Sequence, residues 1–567
     1  MRLRKIEISN FRGIRKLDWV PNAGINCFVG PGDSGKSTVL DAIDWCLGAR
    51  RSLPVTDADF HMLNVDDPIL IDITIGKLND KLKGLDGYGL YLRGFKKEDG
   101  SIEDEPSEDL ETVLTARLEI GDDLEPHWSL VSERAEAQDT SRFFSWGDRV
   151  EIAPIRIGAY ASHHLSWQKG SILTRVSDEE ADTSAALATA ARHARQAFGE
   201  STGDQLDATL RIIESAADDL GIGYGEEIRA LLDAQSISFS GGTISLHDAN
   251  GVPLKKLGLG SSRLLVAGLQ KHVAQESSIS LVDELEYGLE PHRITRLLST
   301  LGAKNKDEPV QVFLTTHSPV VLRELSGDQL HIVRGDDAKH VVTNVGSDDA
   351  MQGTLRKSAE AFLGVNVIVC EGATEVGLIR GIDLYRGDQG RKTLMASGGV
   401  TVDAGGVSKI YRSACSFQKL GYNVSVLRDD DKKPDKNDES FFEMLDGKVF
   451  KWTDGFAIED EIVDCVSDEA VLRLFNYAAK EHGDELVHAH LETVLKEAVD
   501  VGDWIRDITE EKRKAIAAAA KQGSWFKRIS IMEGAAREVI GPDLADAHED
   551  FSGVIEEIFK WAGAGDG

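Results

Sequence analysis

No apolar run in the 567 residues approaches the ~20 that a membrane-spanning helix needs. The opening "MRLRKIEISNFRGI" alternates apolar and polar residues where a signal peptide would carry a continuous apolar stretch. Cysteine is scarce. Cys27, Cys46, Cys370, Cys415 and Cys465 lie scattered without a C-x-x-C pair, so neither a zinc cluster nor a disulfide framework is indicated. Heptad repeats are absent, which excludes a long coiled coil. A cytosolic chain with no membrane contact is therefore expected. Positive charge is also short: 64 Lys and Arg face 96 Asp and Glu, a net charge of −32. An acidic surface repels phosphate, which argues against loose adhesion to nucleic acid. It leaves room for a local basic groove, or for carboxylates that hold DNA through metal ions. A hydrophobic content of 41% fits an ordinary globular protein, and the length calls for two to four domains.

What is present begins with "INCFVGPGDSGKSTVL" (25–40), an apolar strand followed by G-x-x-x-x-G-K-S. Glycines let backbone N–H groups wrap a phosphate, and the next helix points its positive end at the same anion. Gly30, Gly32, Asp33, Ser34, Gly35 and Thr38 form the expected cradle; Lys36 would reach the β- and γ-phosphates and Ser37 would ligate Mg2+. Leu40, Ile43 and Leu47 recur with helical spacing behind it. Downstream, "SISLVDELEYGLEP" ends a strand on Asp283 and Glu284, placed to hold Mg2+ through water and to polarise the attacking water. "VQVFLTTHSPVVL" then delivers His317, where a γ-phosphate could be sensed.

These pieces, with Asn10, Phe11 and Arg12 of the opening "NFRG", resemble the ABC-type ATPases of the SMC, Rad50 and RecF group. The resemblance implies ATP as cofactor and at least a dimer, in which a signature segment of one subunit closes over the ATP of the other. The matching stretch, "LKKLGLGSSRLLVAGL" (254–269), lacks the common LSGGQ, so Ser261 or Ser262 would serve beside Gly258 and Gly260. No glutamine-loop follows "ILIDITIG" (69–76). Strands are expected near 69–76, 111–120 and 127–132, and a hairpin at 236–252. The helical stretch 178–235 reads as an inserted dimerisation module or as extra helices packed on the same core. The ATPase would then occupy 1–177 and 236–340, with a polar linker at 341–360.

The second half, 361–567, carries its own chemistry. "VNVIVCEGATEVGL" is a fully apolar strand with Glu371 at its end and Glu375 four residues on. "YNVSVLRDDDKK" repeats the plan with Asp429, Asp430 and Asp431. Open α/β sheets place ligands at the carboxyl ends of their strands. Four carboxylates gathered there repel one another unless cations or protons intervene, and hard oxygen donors suit Mg2+ or Mn2+. Strand alternation would turn Asp429 and Asp431 inward and Asp430 away. Adjacent His163 and His164 are read as structural.

"CEGATE" followed by "RDDD" resembles the Toprim fold, and an ABC-type ATPase with a carboxy-terminal Toprim domain resembles the OLD (overcoming lysogenisation defect) nucleases, including the Gabija nuclease subunit. The fold class expected is thus α/β: a P-loop ATPase with a helical insert, followed by a Toprim domain. The resemblance implies a two-metal DNA endonuclease using Glu371, Glu375, Asp429 and Asp431. It adds an acid from "WTDGFAIEDEI", of which Glu459 is preferred to Asp460 and Glu461. It also adds a late lysine from "GSWFKRISIMEGAA", Lys527 with Arg528 as rival. DNA as substrate, a homodimer or tetramer, a helicase or other defence-system partner and an anti-phage role are further implications. The alternative is a RecF- or Rad50-like DNA-repair clamp with a silent second domain; a plain NTPase with acidic loops is the third reading.

Overall fold

The computed structural model describes all residues except 159–163, 166–170, 174–186, 195–196, 198–208, 214–245, 274–277, 306–309, 336–337, 506 and 566–567. After an opening strand at Arg2–Phe11, the elements that frame the site include β1 (Ile14–Trp19), β2 (Ile25–Val29), α1 (Lys36–Leu47), β3 (Ile69–Gly76), β4 (Leu92–Phe95), β5 (Glu111–Ile120), β6 (Pro126–Val131) and β7 (Ile155–Ile157). Next come α2 (Leu259–Val273), β8 (Ser278–Val282), β9 (Val310–Thr315), β10 (Leu330–Gly335), β11 (His340–Asn344) and α3 (Asp349–Lys357). Two compact units result, each assembled from separated stretches: Met1–Ile8, Val20–Ile25 and Leu40–Leu314 in one, Ser9–Trp19, Asn26–Val39 and Thr315–Gly567 in the other.

In the first unit, β3, β4, β5 and β6 pair antiparallel, with β5 between β3 and β4 and also bonded to β6. The run "ILIDITIG" alternates along its first half, as a strand with one covered face should. β7, β8 and β9 form a parallel set, Leu281 opposite Phe313, and β9 is buried at every position. A strand buried at every position needs cover on both faces, which is why such strands belong to parallel sheets. The expected helical insert lies largely outside the described residues, which show helix at 187–194 and 209–213; most of the expected hairpin lies outside them too.

In the second unit, β2 pairs parallel with β10, β10 antiparallel with β11, and β11 parallel with β1. Residues 341–360, expected as a polar linker, are structured: they hold most of β11, all of α3 and the start of a 3-10 turn. The polar composition reflects exposed side chains such as Asn344, Ser347 and Asp348, while backbone pairing with β10 supplies the order of β11. Five further β-α elements follow: β12 (Asn366–Cys370), α4 (Ala373–Asp388), β13 (Gly399–Asp403), α5 (Val407–Lys419) and β14 (Asn423–Arg428). β15 (Lys448–Lys451), α6 (Ile458–Cys465), α7 (Glu510–Gly523) and α8 (Ile529–Ala535) complete the parts that matter for the site. β12 to β15 make an all-parallel sheet in the order β13-β12-β14-β15, Cys370 standing opposite both Asp403 and Leu427. Their carboxyl ends therefore share one edge. α4 packs on α8 through Gly377 and Gly381: a Cβ at Gly381 would stand 2.3 Å from the Glu533 carbonyl oxygen, and one at Gly377 2.7 Å from Met532 Cβ. The two helices approach closely because these positions carry no side chain.

Candidate functional site

The glycine loop takes backbone shapes that side chains resist. Gly35 has φ +86, and a Cβ on Gly30 would stand 2.6 Å from the Val333 carbonyl oxygen. Gly13, residues 32–38 and His317 line a cavity of about 430 Å³. His317 is thus brought to the loop, as expected. Gly13 rather than Arg12 lines that cavity; the Arg12 guanidinium lies 5.0 Å from the Phe11 ring centroid. Lys36 is buried and its ammonium donates to the carbonyls of Gly30 at 3.0 Å and Pro31 at 2.6 Å, and to Ser34 Oγ at 3.3 Å. A phosphate oxygen entering the cradle would replace these acceptors. The charge is already in place.

Asp283 and Glu284 belong to the other unit and follow β8 directly. Arg263, wholly buried on α2, donates to the carbonyls of Asp283 at 3.1 Å, Glu284 at 3.1 Å and Tyr287 at 2.7 Å. It fixes the turn in which Glu284 is held at φ +43. Arg156 of β7 reaches Asp41 at 2.6 Å, Asp44 at 3.3 Å and Asp283 at 3.7 Å. Both arginines escaped the sequence reading. Ser261 accepts a hydrogen bond from Arg293 at 3.2 Å, whereas Ser262 is buried and donates to the Leu257 carbonyl at 3.3 Å. Of the two, Ser261 keeps the more accessible hydroxyl. His164 contacts the Arg156 carbonyl at 3.2 Å, a structural role; His163 lies outside the described residues.

The four-stranded sheet gathers the acids. Glu371 follows β12 and accepts the Asp429 N–H at 3.2 Å, and its own N–H donates to the Leu427 carbonyl at 2.9 Å. Asp429 accepts the Ile458 N–H at 2.9 Å from the start of α6. Glu375, in the first turn of α4, is buried and accepts the Gly372 N–H at 2.8 Å. Glu459 is buried on α6, and its Oε1 has no partner. Its neighbours are otherwise engaged: Glu461 accepts the Thr453 N–H at 2.9 Å and Asp460 the Ala457 N–H at 3.1 Å. That division of labour supports Glu459 as the free acid.

β14 ends at Arg428, so the alternation expected through residue 431 does not hold. Asp430 is turned away by pairing instead. Its carboxylate is buried, accepts Arg428 Nη1 at 3.0 Å and the Gly455 N–H at 3.0 Å, and pairs with Lys433. Burial opposes that charge, but these donors hold the carboxyl well below the usual range. Arg428 is itself buried and also bonds Tyr411 Oη at 3.2 Å and Glu439 at 3.0 Å. Asp431 instead meets Lys521 of α7 at 2.9 Å, and Lys521 stands 3.6 Å from Asp460. Lys521 was not foreseen, because nothing in "AAAAKQG" separates it from a helix-terminal surface lysine. Lys527 is exposed.

The acids bear on one another. Burial, then the charges of Glu375, Glu371, Glu459 and Asp431, push Asp429 up to about 9. Burial pushes Glu375 up to about 7, with Glu371 and Glu459 adding to the rise. Glu371 and Glu459 are raised too, chiefly by burial; Lys527 and then Lys521 counter the rise at Glu459. Among the described residues no three such side chains already stand in a metal-holding arrangement. The donor set nonetheless fits a hard divalent cation: the donors are all oxygen, one buried carboxylate oxygen is orphaned, and the clustered charge needs an external positive ion.

Strand, phosphate cradle and helix, with His317 lining the same cavity, define a P-loop nucleotide-binding domain. Residues 25–323, more than half of the chain, match the family described as "AAA domain, putative AbiEii toxin, Type IV TA system", and the chain belongs to it. It is similar to the DNA replication and repair protein RecF of Chlorobium luteolum, 46% identical over 59 residues, which are 10% of this chain and 16% of that protein. The RecF of Chlorobium limicola is 28% identical over 113 residues, 18% and 31% of the respective chains. The chain thus spans less than a third of the length of either. A solved SMC head bound to the C-winged helix domain of ScpA matches with a TM-score of 0.36 at 15% identity, covering 62% of this chain and 100% of that one, a likeness too loose to carry weight.

Proposed function

We propose that this protein is an ATP-binding and ATP-hydrolysing DNA endonuclease that depends on divalent metal, of the OLD type, with residues from about 361 onward forming a Toprim nuclease domain. The observation that carries it is the placement of Glu371 and Asp429 directly after adjacent strands of an all-parallel sheet, the Asp429 N–H bonded to Glu371, with Asp431 two residues on and buried Glu375 and Glu459 raising the Asp429 carboxyl. Mg2+ or Mn2+, when bound there, supplies Lewis-acid activation of water and stabilisation of the leaving oxygen. The chain's own part is separate. Glu371, Asp429 and Asp431 present oxygen donors, and Glu459 offers its orphaned Oε1. Lys521 and the exposed Lys527 supply positive charge for a phosphate in transit. Lys36 and Ser37 would engage ATP and its Mg2+, with His317 as sensor; from the other unit, Asp283 would hold Mg2+ through water and Glu284 polarise the attacking water, with Ser261 as signature residue in a dimer or tetramer.

The RecF likeness favours a second reading, a DNA-repair clamp whose acidic edge does no chemistry. A supercoiled-plasmid assay separates the two. Wild type with Mg2+ or Mn2+ should nick or linearise the plasmid, and the ATP lanes show whether nucleotide licenses or restrains cutting. Asp431→Ala should lose cleavage by more than about 100-fold with ATP binding intact. Intact plasmid under every metal and nucleotide condition, with ATP still hydrolysed, would return the chain to the clamp class.

A further inference from the structure

A second cavity, of about 420 Å³, lies one strand from the acids in the same unit, between α3 and α5 at the carboxyl end of β13. Its walls include Lys357 and Thr354 of α3, Lys409, Arg412 and Ser413 of α5, and Asp403. Lys409, Arg412, Ser413 and Ser416 recur at the i, i+3, i+4, i+7 spacing that puts them on one face of α5. Among the described residues neither Lys357 nor Lys409 has an ion-pair partner, unusual on a chain with 96 acids against 64 bases. Arg412 pairs only with Asp348, at 3.2 Å between two exposed side chains, a contact of little worth that a stronger anion displaces. The carboxylate in the lining, Asp403, accepts the Gly405 N–H at 2.8 Å. Lysines, an arginine and hydroxyls around one hollow are the chemistry that receives phosphate.

The hollow is coupled to the acidic edge by main chain. The Ala404 N–H donates to the Cys370 carbonyl at 3.0 Å and the Gly406 N–H to the Glu371 carbonyl at 2.8 Å. The loop that floors the cavity is therefore bonded to the residue that opens the carboxylate row. We infer that this pocket grips backbone phosphates of the DNA strand whose neighbouring phosphodiester lies at Glu371, Asp429 and Asp431, an inference that rests on the nuclease reading for its substrate. It explains how so acidic a protein keeps DNA in place beside a repulsive edge.

The test is binding, not cleavage: anisotropy of a labelled duplex oligonucleotide with the full chain in Ca2+, over about 50 to 200 mM salt. Lys357→Ala/Lys409→Ala should lower the slope of log K against log salt by about 2, near 0.9 for each lost phosphate contact. Lys514→Ala/Lys560→Ala, outside the pocket, should leave the slope unchanged. Both lysines of the test pair are exposed, and a melting curve checks that the variant is folded. An unchanged slope overturns the pocket even if the plasmid is cut. A reduced slope supports it even if no metal yields cleavage, in which case the nuclease reading alone falls. Lysine-dependent binding of ADP in a Lys36→Ala background, with the DNA slope intact, would overturn the backbone assignment in favour of a free nucleotide.

Discussion

Asp430 and Asp431 are adjacent, and the chain uses them for opposite ends. Asp430 is buried among Arg428, Lys433 and the Gly455 N–H, so its removal strands a buried guanidinium that Tyr411 and Glu439 only partly satisfy. Asp430→Ala should cost about 3 kcal/mol in urea unfolding, the scale for breaking a buried pair. Asp431→Ala should leave the unfolding midpoint nearly unmoved, since Asp431 and Lys521 form a partly exposed pair. Equal losses from the two would contradict this assignment. Lys521→Ala should lower cleavage by about 10- to 100-fold, with Lys521→Arg recovering part of it, because the lysine orients Asp431 as an outer partner would.

At the scale of elements, helix α4 carries Glu375 and seats itself on α8 through two glycines. Gly381→Ala would drive a methyl into the Glu533 carbonyl, and a loss of about 1 to 3 kcal/mol is expected, read from urea midpoints. Gly390→Ala, where a Cβ meets nothing but φ is +71, should cost less and leave α4 in place. The legible parts of the fold were those where pattern and backbone agree. "INCFV" and "NVIVC" read as apolar strands, and both are strands buried at every position. The phosphate loop declared itself by glycine spacing, and the acids of β12 and β14 by falling at strand ends. Illegible were interactions that pattern does not encode: Arg263 and Arg156 reach their partners across sequence gaps of 20 residues or more. β11 and α3 hid in polar composition because their order comes from neighbours. The strand-parity reading of the triplet fails because the strand ends at Arg428; what sets Asp430 apart from its neighbours is burial and ion pairing.

For the whole molecule, the acids make stability depend on pH and on cations together. Glu375 and Asp429 ordinarily ionise near 4.5 and 3.8, and the folded chain holds them up to about 7 and about 9, through burial first. Unfolding therefore releases protons between those limits, so stability present below about pH 4 is lost as pH rises toward 9. In EDTA the melting temperature should fall between about pH 6 and 9 by more in wild type than in Asp429→Asn, and Mg2+ or Mn2+ should restore most of the loss at the alkaline end. A flat profile in both proteins would show that these carboxyls do not hold their protons in the folded state. Among the described residues no helix is long and apolar enough to cross a membrane.

Lys521, 2.9 Å from Asp431, already occupies the side of the carboxylate that the nuclease reading assigns to a cation. An ammonium on a flexible stem is a tenant that can be evicted, and eviction has a threshold. On the nuclease reading, a divalent cation that outcompetes the lysine at Asp431 would release Lys521 toward whatever anion lies nearby, and below that ion level the pair would stay closed. One side chain would then serve as a built-in place-holder in the resting protein and as a freed counter-charge in the working one, tying readiness to the ionic state of its surroundings.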